Sequence, residues 1–260
     1  VDLETSVSTN TPQNAAIIDI SNNTIDRNNN ARIYVYYRNG NSNASLPLDS
    51  TSITIENNSI IGRNIQGDGL RIYSRENPAN WKIKNNTIRG TYYGIRMESD
   101  KSSKWLIEDN TIDSTYYNGI WKSNGDALIT GNTIEHAGRY NWNGTEFNGI
   151  YLNSSSNYPS TDTLKNNTVR YNGAWQYPNY TGNLTLGIGG VTIDGNTSVV
   201  MNANNIYENQ GHDVINFVSK SNAGIQDARY NFWGDSTTAE MNLGGNPKNI
   251  TAIHDEYDNT

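Results

Sequence analysis

The chain has 260 residues, 17% of them charged, a formal net charge of −7 and no cysteine. These figures exclude disulfides, thiolate metal sites and cysteine nucleophiles, and they lack the basic stripe that nonspecific nucleic-acid binding needs. With no run of about 18 apolar residues, no segment is long enough for a membrane-spanning helix, and the 17 Tyr and 6 Trp set the chain apart from disordered polar sequences, which are poor in aromatics.

Residues 1–15 are polar and carry Pro12, and are expected to be a tail or a cap. No charged stretch followed by an apolar core marks a signal peptide at Val1, as is also true of a mature fragment of a secreted chain. From Ala16 onward one unit recurs. Its clearest copies are Ile83-Lys84-Asn85-Asn86-Thr87-Ile88 with Tyr92-Tyr93-Gly94-Ile95, and Ile107-Glu108-Asp109-Asn110-Thr111-Ile112 with Tyr116-Tyr117-Asn118-Gly119-Ile120. Weaker copies run from Ile20 to Trp233, anchored on Asn23, Asn58, Asn86, Asn110, Asn132, Asn167, Asn205 and Asn231. Between the anchors, apolar residues fall at every second position, as in strands with one buried face, and no window carries a helical stripe. A short strand unit repeated with insertions of variable length is the signature of a stacked-coil solenoid. The expected fold is therefore all-β, a single domain over 1–260, with about seven to eight coils spanning 16–235 and a C-terminal tail or cap over 236–260. Asparagine suits the repeated turn because it tolerates the left-handed conformation and its amide can bond the same residue one rung away. The anchors are thus expected to form an asparagine ladder and to be structural.

The Asn-Asn-Thr-Ile and Asn-Gly-Ile units, closing at Asn231-Phe232-Trp233-Gly234-Asp235, resemble the right-handed parallel β-helix family of carbohydrate-active proteins. The Tyr-Tyr-x-Gly-Ile pairs and the wording around Ser99-Asp100-Lys101 are more closely similar to archaeal disaggregatase-related proteins. That resemblance implies a parallel β-helix, an extracellular or cell-surface location, and cleavage of a chondroitin-like matrix.

Read from the residues, the chemistry sits on one face. Alternation after each Gly-apolar step places Arg71, Arg96, Trp121, Tyr151 and Thr192 in one outward column, and Tyr73, Glu98, Ser123, Asn153 and Asp194 in the next. Arginine forks a carboxylate and aromatic faces stack on sugar rings, so such columns suit an acidic polysaccharide. Cross-rung contacts that merely stabilise a surface would use the same residues. Two insertions, over 135–147 and 171–185, bring Tyr140, Trp142 and Trp175 toward the same face, either as cleft walls or as cover for apolar edge.

Glycoside hydrolysis needs two carboxylates, about 5 Å apart for retention and about 6.5–9.5 Å for inversion. With rungs about 4.8 Å apart, Glu98 and Asp126 read as an adjacent-rung pair, with Glu146 hanging over the next. β-Elimination needs instead a base and positive charge beside a uronate, which His136, Arg139 and Tyr140 with Arg71, Arg96 and Lys122 would supply. Hydrolysis is the favoured expectation, with elimination, a noncatalytic glycan-binding or surface-layer module, and a plain spacer as alternatives. No cofactor is called for. No Asp-x-Asp-x-Asp-Gly loop or His-x-x-x-His pair marks a metal, although calcium held by scattered oxygens would leave no such mark.

Overall fold

The computed structural model describes residues 3–9, 17–28, 33–39, 52–62, 67–75, 79–101, 103–138, 147–173, 188–218, 224–245 and 249–254. Their strands form three parallel sheets, and each coil visits them in the same order. The second sheet holds β2 (Ile17–Ser21), β5 (Ser52–Glu56), β8 (Asn80–Lys84), β11 (Lys104–Glu108), β14 (Asp126–Thr130), β17 (Ser160–Lys165), β20 (Thr197–Asn202) and β23 (Gly224–Asp227). From it the chain turns into the short strands of the third sheet, β3 (Thr24–Asn28), β6 (Ser59–Gly62), β9 (Thr87–Arg89), β12 (Thr111–Asp113), β15 (Thr133–Glu135), β18 (Thr168–Arg170) and β21 (Asn205–Tyr207). It then enters the first sheet, β1 (Leu3–Thr9), β4 (Ile33–Asn39), β7 (Leu70–Arg75), β10 (Ile95–Ser99), β13 (Ile120–Ser123), β16 (Phe147–Asn153), β19 (Ile188–Ile193), β22 (His212–Asn216) and β24 (Ile253–His254). Leu3–Thr9, expected as a tail or cap, pairs along its whole length with β4 and so forms a rung.

Burial follows from alternation. Each third-sheet strand turns one apolar side chain inward, giving the stacked column Ile60, Ile88, Ile112, Ile134, Val169 and Ile206. The other two sheets turn in two per rung, such as Ile83, Ile107 and Ile129 on the second and Leu70, Ile95 and Ile120 on the first. No coil can cover these residues alone, so burial worth about 1.5–3 kcal/mol per large aliphatic side chain is realised only between neighbouring coils. The glycine before β7, β10 and β13 has a steric cause. A Cβ on Gly119 would lie 2.7 Å from the carbonyl oxygen of Gly149 on the next coil, closer than real contacts allow.

The turn between the second and third sheets carries the ladder. Each Asn Oδ1 accepts both the backbone N–H and the side-chain amide of the Asn one coil earlier, as in Asn86 N to Asn110 Oδ1 at 3.0 Å and Asn86 Nδ2 to Asn110 Oδ1 at 2.9 Å. The series runs Asn23, Asn58, Asn86, Asn110, Asn132, Asn167, Asn204, Asn231. Asn204 therefore takes the place expected for Asn205, which occupies the outward position that Thr87 and Thr111 fill elsewhere. The left-handed residue is also one place earlier than expected. Asn22, Asn57, Asn85, Asp109, Gly131, Asn166, Ala203 and Tyr230 all have φ between 53° and 69°, and the ladder asparagine itself does not. A non-glycine residue pays roughly 1 kcal/mol for that conformation unless, like Asn, its side chain compensates.

At the C-terminal end, α1 (Gly234–Asn242) packs by β21, with Thr237 buried and Met241 against the core. From residue 236 on it lies in the stretch expected as a tail or cap, while Gly234 and Asp235, expected to close the last coil, form its first turn. Its sequence has no helical apolar stripe because only these few positions meet the stack.

Candidate active site

The first sheet's outward face has the expected register. Arg71 pairs with Arg96, Arg96 with Trp121 and Trp121 with Tyr151, while Tyr73, Glu98 and Ser123 align in the next column. Tyr34 and Tyr36 extend the two columns downward. Arg71 lies over the Tyr34 ring at 5.8 Å, and Arg96 lies between Tyr93 at 5.0 Å and Trp121 at 5.2 Å. Trp121 and Tyr151 are nearly parallel, their centroids 6.5 Å apart. Thr192 keeps the register but is buried, its hydroxyl donating to Asn148 Oδ1 at 2.8 Å.

Two carboxylates converge on this arginine pair. Glu98 Oε1 is 2.7 Å from Arg96 Nε and 3.6 Å from Arg71 Nη2. Neither Nε nor Oε1 has an aligned hydrogen bond, so the 2.7 Å contact is coulombic. Asp68, which the sequence reading missed, lies with Oδ2 3.8 Å from Arg71 Nε. It is 6% exposed, at the turn that feeds β7. Burial raises the proton affinity of its carboxyl, against the pull of Arg96, then Arg71, and a hydrogen bond from the Tyr93 N–H. A signal for Asp68 was present. Coils that have Tyr93-Gly94, Asn118-Gly119 and Asn148-Gly149 at this step are matched here by Asp68-Gly69, an acid where the others carry neutral side chains.

Beside the carboxylates stands an aromatic wall. Tyr92 and Tyr117 rings are 4.3 Å apart, Tyr93 and Tyr117 5.4 Å, and Tyr117 and Phe147 5.4 Å. Burial raises the Tyr92 phenol, as does its bond to Tyr117. On the opposite side, Tyr73 Oη donates to Asp100 Oδ1 at 3.3 Å and Arg75 Nε donates to Asp100 Oδ2 at 3.2 Å. Farther up the face, Tyr151 Oη donates to Asp194 Oδ2 at 2.7 Å. Among the described residues, Trp121 Nε1, Asn118 Nδ2 and Asn148 Nδ2 are buried N–H donors without an acceptor. Each unmet donor costs about 1–3 kcal/mol, a local cost of the kind that concentrates at functional sites.

Glu98, Arg71, Arg96, Tyr73, Trp121 and Tyr151 are thus brought to one face, and three other expected members are not. Lys122 points inward, in the column of Ile72, Met97 and Leu152, and is fully buried. Its Nζ donates to Asp162 Oδ1 at 2.9 Å, Gly125 O at 2.7 Å and Ser160 Oγ at 3.0 Å. The alternation that puts Trp121 outside forces its neighbour inside, and Asp162 supplies the counterion there. Asp126 begins β14 on the second sheet, beside Lys104, and its Oδ1 accepts the Thr161 N–H at 2.9 Å. It cannot pair with Glu98 because the turn at Asn124-Gly125 has already carried the chain off the first sheet. His136 sits in the left-handed position after β15, φ 54°, where Nδ1 is 2.9 Å from Asp113 Oδ1 and the ring stacks on Tyr171. Glu146, Arg139, Tyr140, Trp142 and Trp175 lie outside the described residues. Among the described residues, no group of three or more His, Asp or Glu side chains is arranged to hold a metal ion.

A family model described as a right-handed β-helix region matches residues 7–187. The chain belongs to the right-handed β-helix family. Neither the curated proteins nor the solved structures offer a match to the chain. The β-helix family includes polysaccharide-active enzymes, and the fold alone does not select a reaction. Asp68, Glu98, Arg71 and Arg96 form a charged cluster on the first-sheet side of this β-helix.

Proposed function

We propose that this protein is an extracellular glycan-cleaving enzyme, a glycoside hydrolase acting on an acidic, uronate-containing, chondroitin-like cell-surface polysaccharide. The observation that carries the reading is the placement of Asp68 and Glu98 within 4 Å of one guanidinium, that of Arg71. Burial keeps the Asp68 carboxyl protonated to higher pH than a free aspartate, which suits a general acid that must give its proton to a leaving glycosidic oxygen. Glu98 is the partner that supports the developing positive charge or the attacking group. With Asp68 protonated, the two arginines outweigh Glu98 by one positive charge, which one uronate carboxylate would neutralise. The parallel Trp121 and Tyr151 rings offer a flat apolar platform to the adjoining sugar.

Elimination is less well supplied, since Lys122 is enclosed and His136 is held by Asp113 at another turn. The decisive experiment incubates the protein with unsulfated chondroitin and other uronate polymers, following reducing ends and the ultraviolet absorbance of unsaturated uronate together. Reducing ends without absorbance, lost in Asp68→Asn, are the expected result. Absorbance rising in step with reducing ends would replace hydrolysis by elimination. Binding without either signal would make this face a noncatalytic glycan-binding module.

A further inference from the structure

We propose that the second sheet carries a separate groove that holds the same acidic polysaccharide without cleaving it; this rests on the polymer class read from the first sheet. The groove encloses about 640 Å³ and crosses β5, β8, β11 and β14. Its two sides are outward columns in register, Asn80, Lys104 and Asp126 on one and Lys82, Leu106 and Leu128 on the other. At about 4.8 Å per rung, four rungs span about 14 Å, room for a short oligosaccharide segment.

Three features of the groove indicate a bound acidic sugar. Lys82 and Lys104 are exposed and, among the described residues, have no carboxylate within ion-pair distance, whereas Lys84 in the next column lies 2.6 Å from Glu108. The acid beside Lys104, Asp126, is turned to the Thr161 backbone N–H instead. Beside the ammonium groups the surface is apolar: Leu106 adjoins both lysine positions, and Leu128, one rung farther on, is 42% exposed where the same column has Thr54 below and Thr163 above. Two ammonium groups without counterions among the described residues, in a chain of net charge −7, attract an external anion. The apolar strip of Leu106 and Leu128 beside them receives the C–H face of a sugar ring rather than a free phosphate or sulfate ion. Among the described residues the groove has no second carboxylate opposite Asp126, so it holds the polymer and leaves cleavage to the first sheet.

The test is the double variant Lys82→Glu/Lys104→Glu in the full chain, with unsulfated chondroitin and its tetrasaccharide as probes. The expected result is a loss of polymer affinity by about tenfold or more, with tetrasaccharide turnover and melting temperature unchanged. Polymer affinity equal to the parent protein's would overturn the proposal. So would an equal fall in polymer affinity and tetrasaccharide turnover, which would mean one continuous site. A dimer in the parent that dissociates in the variant, with polymer affinity unchanged, would assign the groove to self-association. Lys82→Ala/Lys104→Ala guards against a folding defect from the introduced acids and should show the same loss in smaller measure. If the parent binds the polymer but cleaves nothing, and the variant loses that binding, the groove stands and the hydrolase reading falls. If the parent binds no uronate polymer, both fall.

Discussion

The ladder corner and the first-sheet face are built from the same coils, yet one repeats and the other does not. At the corner, every rung must satisfy the same backbone donors and acceptors, so eight consecutive coils place asparagine at one position. On the face, consecutive rungs offer Arg71, Arg96, Trp121 and Tyr151. Repetition marks what the stack needs to exist. Departure from repetition marks what a ligand would read.

The comparison can be broken by experiment. Glu98→Gln should lower cleavage by about 10²–10⁴-fold while moving stability by no more than about 1 kcal/mol, because the Arg96–Glu98 pair is partly solvated. Melting and assay on one preparation check both, and a parallel fall in each would merge the two regions.

The interior gives the next largest effect. Lys122→Met alone should destabilise by about 3–5 kcal/mol, since it strands the Asp162 carboxylate in the core. Lys122→Met/Asp162→Leu should recover most of that loss in denaturant titration, because well-packed apolar replacements avoid the desolvation of both ions. Asn110→Ala removes an acceptor shared by two donors of Asn86 and should cost about 2–3 kcal/mol. Cleavage per folded molecule should not change.

The smallest effect belongs to a second, shorter ladder at the turn entering the first sheet. There Asn172 donates to Asn209 and Asn209 to Asp213, with Nδ2 to oxygen distances of 3.0 and 2.9 Å. Burial raises Asp213 to about 6, against its hydrogen bonds from Asn209. Because the folded pKa exceeds the unfolded one, this group's favourable contribution is complete below about pH 4 and is lost as pH rises through 6. Asp213→Asn keeps the acceptor and removes the charge. It should raise stability at pH 7.5 by on the order of 1–2 kcal/mol and lose that advantage by pH 4, as thermal melts at the two pH values would show.

The fold was legible because spacing-two burial and the Asn-Asn-Thr-Ile unit are local, repeated consequences of stacking. The one-place error at Asn204 came from Asn202-Ala203-Asn204-Asn205, where adjacent asparagines hide which one faces inward. The first-sheet columns were legible too, since alternation fixes them once the glycine step is found. What alternation could not show was where a strand ends. Lys122 and Asp126 were placed as though the first-sheet face continued past Trp121, but Lys122 is the inward neighbour and Asp126 follows the turn onto another sheet. Asp68 was overlooked because it precedes its strand, outside the columns that alternation defines. Its departure from the Tyr93, Asn118 and Asn148 pattern was the only mark it left.

The ladder also has a direction. Every side-chain amide from Asn23 to Asn204 donates to the Oδ1 of the asparagine one coil toward the C-terminus, and from Asn58 on it also donates to a backbone carbonyl one coil back, as in Asn86 Nδ2 to Ile55 O at 3.0 Å. The final amide, of Asn231, is already committed to Met201 O and Ala228 O. The row therefore begins at Asn23, which donates forward, and ends at Asn231, whose Oδ1 accepts from Asn204 and beside which α1 packs against β21. The row thus has a fixed polarity, and a coil inserted into it can join in one sense only, accepting from the asparagine before it and donating to the one after it.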